Sequence, residues 1–371
     1  MEKSKVYFTN MRASEGNNLL QKLKKLIEAA GIADIDFKDK FAAIKIHFGE
    51  PGNLSFLRPN FAKVVADEVK ALGGRPFLTD CNTLYVGRRK NALDHIDAAY
   101  ENGFTPFSTG CQVIIADGLK GTDEALVPIE GGTYVKEAKI GQAIMDADII
   151  ISLSHFKGHE ATGFGGAMKN LGMGCGSRAG KMEQHCSGKP TVNTDTCRSC
   201  GKCAKICAHS AITFPNRKAQ INHEKCVGCG RCLGSCNFDA IYNGNDSAND
   251  ELCMKIAEYT KAVVQNRPQF HICIVMDVSP YCDCHAENDT PIIQDVGMFA
   301  SFDSVALDMA CADACNKQPV LPGSKLHENL ACGHDHHDTF TSTSPQTNWM
   351  VTLEHGEKIG VGTRDYQLIE L

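Results

Sequence analysis

The 371 residues contain no apolar run approaching the ~18 residues that a membrane-spanning helix requires. The opening stretch, MEKSKVYFTNMRASEG, has no hydrophobic segment of the kind that directs secretion. Positive charge is not in excess: 38 Lys and Arg stand against 44 Asp and Glu, and no basic run suits nucleic acid or an anionic membrane. Nucleotide motifs are missing as well. GCGSRAGKM lacks P-loop spacing and has Met182 where a Mg²⁺-binding Ser or Thr is needed, and GFGGAMKN lacks G-x-G-x-x-G. These absences lead to the expectation of a soluble, cytoplasmic protein without a nucleic-acid or membrane partner.

What the chain has in abundance is cysteine, nineteen in all. Without a secretory signal, metal or redox chemistry is a better default for them than disulfides. Eight fall in two copies of C-x2-C-G-x-C-x3-C: CRSCGKCAKIC from Cys197, and CVGCGRCLGSC from Cys226, twenty-nine residues later. Each copy closes on Ala-Ile, at 211–212 and 240–241. This pattern resembles the bacterial two-cluster ferredoxins, in which three closely spaced thiolates hold one 4Fe–4S cluster and the fourth reaches the other. By that rule Cys197, Cys200, Cys203 and Cys236 hold one cluster, and Cys226, Cys229, Cys232 and Cys207 the second. Ala208 and Asn237 replace the proline that usually follows the fourth cysteine. Two structural zinc sites are the competing reading, but zinc prefers paired C-x2-C loops.

Outside this segment, apolar periods of two and of three-to-four alternate. Helices are expected near 19–30, after Pro59, over ELCMKIAEYTKAVVQ and over 304–315. Strands are expected at 41–48, 75–80, 112–117, 147–154 and 270–278. The alternation argues for an α/β fold, with helices packed on a mainly parallel sheet. The expected layout is an α/β segment over 1–189, a small ferredoxin-like α+β insert over 190–245, and a second α/β segment over 246–371. The two outer segments are expected to build one domain.

Two stretches carry chemistry beyond the clusters. The first, SHFKGHEATGFGGAMKNLGMGCGSRAGKMEQHC (154–186), follows an apolar strand, where α/β sheets place ligands. It is rich in glycine and lysine, which suits a small anionic ligand, although the glycines serve tight backbone packing equally well. His155, His159 and His185 flank Lys169 and are candidates for proton transfer or metal ligation. The second is SPYCDCH (279–285). If it is extended, Cys282 and Cys284 point the same way and, with His285, could hold an additional metal or cluster; alternatively the two thiols form a redox pair. Cys81, Cys111, Cys253, Cys273, Cys311 and Cys315 read as core.

These stretches, with PIIQDVGMFASFDSVALDMACAD and the closing NWMVTLEHGEKIGVGTRDYQL, resemble the domain of unknown function 362 family, whose members often carry a ferredoxin-type insert. That family is distantly similar to the nickel-pincer lactate racemases. The resemblance to the racemases implies a histidine, a cofactor-bearing lysine and a metal-binding histidine in that order, matched here by His159, Lys169 and His185. The leading expectation is an iron–sulfur oxidoreductase of anaerobic metabolism, in which the insert relays electrons between a redox partner protein and a site in the α/β domain. An electron carrier without substrate chemistry, and a racemase-related enzyme with a metal or modified lysine, are the alternatives.

Overall fold

The computed structural model describes residues 3–84, 87–186, 189–207, 209–226, 232, 236, 238, 240–243 and 249–371. Its frame is an eight-stranded sheet. In chain order the strands are β1 (Ser4–Asn10), β2 (Phe41–Lys45), β3 (Arg75–Asp80), β4 (Gln112–Ile115), β5 (Ile149–His155), β6 (Gln269–Val275), β7 (Gly297–Ser301) and β8 (Tyr366–Glu370). Across the sheet the order is β8-β1-β7-β6-β5-β2-β3-β4. β7 is antiparallel to both of its neighbours, and the other pairings are parallel.

Period-two alternation separates the two faces. Ala42, Ile44, Ile149, Ile151, Leu153, Ile272 and Ile274 pack on one side with Leu23, Leu26 and Ile27 of α1 (Leu19–Ala29) and Phe61, Val65 and Val69 of α2 (Pro59–Ala71). α1 starts at a capping box, Asn18 with Gln21, and α2 starts with proline at its first position. On the opposite face Ala43 and Ile150 meet Leu171 of α3 (Ala167–Cys175) and Tyr259 and Val263 of α5 (Asn249–Val264). Between these two helices in the chain runs α4 (Arg178–Cys186). Cys273 and Val275 pack on α6 (Ser304–Asn316), whose N-cap is Asp303. Cys81, Cys111, Cys253, Cys273, Cys311 and Cys315 are all buried.

Successive parallel strands run outward from β2 through β3 to β4, and in the other direction from β5 to β6. The strand order therefore reverses between β2 and β5, which leaves a crevice at the carboxyl ends of these strands. β2 stops at Lys45 rather than running on to residue 48, and the chain then turns along that crevice.

The segment from 190 onward forms two short antiparallel pairings, Pro190–Val192 with Ile241–Asn243 and Ile212–Thr213 with Gln220–Ile221, and a helix at Lys202–Ile206. The sequence repeat reappears in the hydrogen bonds. Asn193 and Asn222 accept the N–H groups of Cys197 and Cys226 respectively, at 3.1 and 3.0 Å. Ile212, Ala240 and Ile241 pack around Cys197, Cys203 and Cys232. Among the described residues no helix is long and apolar enough to cross a membrane.

Candidate functional site

The crevice opens into a cavity of about 720 Å³. His155, His159, Lys169, His185, Cys282 and Cys284 all line it. β5 delivers His155 at its end, and a short hairpin, Lys157–His159 against Gly163–Gly165, presents Lys157 and His159. Lys169 comes from α3, His185 from α4, and the two cysteines from the loop after β6.

That loop is a turn and not an extended strand: the His285 N–H donates to the Cys282 carbonyl at 3.1 Å. The turn brings the two sulfurs into hydrogen-bonding contact, and Lys169 Nζ lies 3.5 Å from Cys282 Sγ. Hydrogen bonding from Cys284 holds the Cys282 thiol well below the usual cysteine range; burial opposes this, and Lys169 and His159 add to it. The shared proton and burial push Cys284 up. The pair is thus unequal: Cys282 gives up its proton far more readily than Cys284. Burial works against the charge on Lys169, but the sulfurs and Glu160 outweigh it and strengthen the ammonium.

His285 Nε2 meets Glu160 Oε1 at 2.9 Å. Hydrogen bonding to that carboxylate raises the imidazole. Among the described residues, no three His, Cys, Asp or Glu side chains converge as a metal site. His155 is clamped between Asp283 Oδ2 at 2.9 Å and the Met276 carbonyl at 2.7 Å. Lys157 stands 3.6 Å from the same carboxylate. His185 is pushed down to about 3 by burial and by Lys169 and so remains neutral.

The part of the cavity wall that packs beside the cysteine turn, with the Glu50 N–H donating to the Asp283 carbonyl at 3.0 Å and Arg89 Nη2 to the Cys284 carbonyl at 3.4 Å, was not anticipated from sequence. It holds Lys45, His47, Glu50, Asp80 and Arg89. Lys45 is fully buried, 3.0 Å from Asp80 and 2.7 Å from the Asn170 side-chain oxygen. Arg89 bonds Glu50 at 2.7 Å and His47 Nε2 at 2.9 Å. The signal was present in part: a lysine and an aspartate within otherwise apolar strands must be paired. Gly174 explains part of the glycine-rich loop, since a Cβ there would lie 2.5 Å from Lys45 Nζ. Here glycine serves close packing.

The described cysteines of the repeat lie apart from this cavity. Cys197, Cys200, Cys203 and Cys236 line a smaller one with Phe214, Ala219 and Phe238. The Ala219 N–H donates to Cys197 Sγ, and the Ala211 N–H to Cys207 Sγ, each at 3.4 Å. Cys207 and Cys232 belong to the same apolar cluster, Cys226 is half-buried, and Cys229 lies outside the described residues. α4 touches both regions: Met182 packs in the cysteine cluster, while Lys181 and His185 line the large cavity.

Fold and site together define an α/β protein with a charged cavity at a strand-order reversal and a cysteine-rich segment beside it. The chain belongs to the family described as Domain of unknown function (DUF362), whose profile matches residues 42–313. A thylakoid-associated protein of Synechocystis sp., sll1697, is 26% identical over 171 residues, covering 43% of this chain and 47% of that protein. The lactate racemase apoprotein of Thermoanaerobacterium thermosaccharolyticum aligns with a TM-score of 0.41 at 10% identity, over 73% of this chain and 51% of that one. A Thermotoga maritima protein aligns at 0.38 and 12% identity, over 75% and 54%. The chain spans about half the length of each of these relatives.

Proposed function

We propose that this chain is an iron–sulfur oxidoreductase: the insert binds two 4Fe–4S clusters and passes electrons between a redox partner protein and the large cavity. The supporting observation is the small cavity shared by Cys197, Cys200, Cys203 and Cys236, the four residues that the crossed-ligand rule groups together. Their donor set, with backbone N–H groups on the sulfurs of Cys197 and Cys207, suits a cubane cluster. Cys226, Cys229, Cys232 and Cys207 would hold the second cluster. The clusters supply one-electron transfer. The chain's own residues do the rest: Lys169 and Lys157 hold an anionic ligand, His159 moves a proton, and α4 links the insert to the cavity wall.

The test is the iron and acid-labile sulfide content of anaerobically purified protein. About eight iron per chain is expected; zinc in place of iron would overturn the reading. Cys282→Ser should abolish turnover and leave the cluster spectrum unchanged.

A racemase-related reading draws on the meeting of His159, Lys169 and His185 in one cavity. It requires a mass excess on the intact chain that disappears in Lys169→Ala.

A further inference from the structure

The surroundings of Cys282 and Cys284 do not suit an additional metal ion. His159 Nδ1 accepts the N–H groups of Ala161 and Thr162, at 3.1 and 3.2 Å. With that lone pair engaged, the ring proton sits on Nε2, so the imidazole offers Cys282 a hydrogen and no ligating lone pair. Lys169 Nζ at 3.5 Å would repel a cation bound to the sulfur. His285 is held by Glu160. What remains is a readily ionised thiol, a second thiol in contact with it, a proton donor and a cation, all on the wall of a cavity large enough for a small peptide-sized molecule.

We propose that Cys282 and Cys284 form a dithiol–disulfide centre that reduces the disulfide bond of an anionic small molecule held in this cavity. The proposal rests on the reading that the insert supplies electrons. Cys282 Sγ attacks one sulfur of the substrate; the new S–S bond forms as the substrate's own breaks, and the first half leaves as a thiolate that takes a proton from solvent. Cys284 then attacks Cys282 Sγ, and its proton goes to the second half, which leaves as a thiol. The protein now carries the Cys282–Cys284 disulfide, and the substrate has gained two electrons and two protons. Two electrons from the reduced insert, delivered singly, and one proton onto Cys284 restore the thiolate–thiol pair.

The anionic preference follows from charge. Whenever Cys282 is tied into a disulfide, Lys169 loses its counter-ion and can take a carboxylate of the substrate. Lys181, whose Nζ is held by the Gly174 and Gly176 carbonyls, adds positive charge to the same cavity.

The experiment uses the full chain, purified anaerobically, with oxidised glutathione as probe because it is a disulfide bearing carboxylates. Free thiols are alkylated after exposure and the 282–284 peptide is mapped by mass spectrometry. Wild type should lose both thiols together, form the internal bridge and retain no glutathione. Cys284→Ser should retain one glutathione on Cys282. A wild-type pair that stays free under both glutathione and diamide would overturn the proposal. So would zinc or iron that stays with the wild type and is lost in Cys282→Ser. Iron and sulfide measured on the same samples read the cluster assignment separately, so failure of the pair and failure of the relay give different results.

Discussion

Replacing Lys169 with methionine should slow the chemistry of Cys282 through charge alone. Cys282 is buried and Lys169 half-buried, and their charged atoms are 3.5 Å apart. Two unit charges at that distance interact by about 5 kcal/mol at an effective dielectric of ~20, an upper limit for the pair. The hydrogen bonds from Cys284 and His159 survive the substitution, so the thiol should rise back toward the usual cysteine range without reaching it. The pH at which the thiolate forms therefore moves up, and reactivity below that pH falls. The assay is the pH dependence of iodoacetamide alkylation at Cys282, read by peptide mass spectrometry in wild type, Lys169→Met and Lys169→Arg. The methionine profile should move to higher pH, and the arginine profile should stay near wild type. Superimposed wild-type and methionine profiles would refute an ion pair between Lys169 and Cys282.

Three further outcomes follow from the fold. Lys45→Met should cost about 3–5 kcal/mol in denaturant unfolding, because Asp80 is left buried without its partner at 3.0 Å; replacing both by apolar residues should restore much of the loss. Asp308 is pushed up to about 7 by burial, despite accepting the N–H groups of Ala167 and Met168 that begin α3. Its folded value therefore exceeds the unfolded ~3.9, so its contribution is complete below about pH 4 and is lost as pH rises through about 7, roughly 4 kcal/mol in all; Asp308→Asn should flatten that slope in unfolding measured across pH 4–8. Gly172→Ala should destabilise by about 1–3 kcal/mol in the same assay, since the added methyl meets the Ile256 carbonyl between α3 and α5.

The parallel centre of the sheet was readable because its strands carry their own signal. In ADIIISLS, an apolar run ends abruptly in serines and histidine, and the observed β5 covers the same stretch. β1, β7 and β8 carried no comparable signal. Tyr7 pairs with Ala300 and Ser4 with Tyr366, partners hundreds of residues away, so tertiary context makes them strands. Within the cavity, histidines, lysine and cysteines stood out by chemistry and by following strands. Lys45, Asp80 and Arg89 did not, because only the strand-order reversal brings the ends of β2 and β3 beside the loop after β6. The turn at 282–285 and the Glu160–His285 contact depend on distant backbone in the same way.

The position of β1 sets an order on synthesis. Its neighbours in the sheet are residues 297–301 and 366–370, both of which leave the ribosome after every cysteine of the repeat. At about 5–20 residues per second, β1 waits roughly 15–60 seconds for β7. For that interval the thiols of the repeat are outside the tunnel while the sheet is still open along one side. Exposure of these thiols and closure of the sheet therefore overlap in time, and anything that delays β7 leaves a nascent chain with both its cysteines and the edge of β1 uncovered.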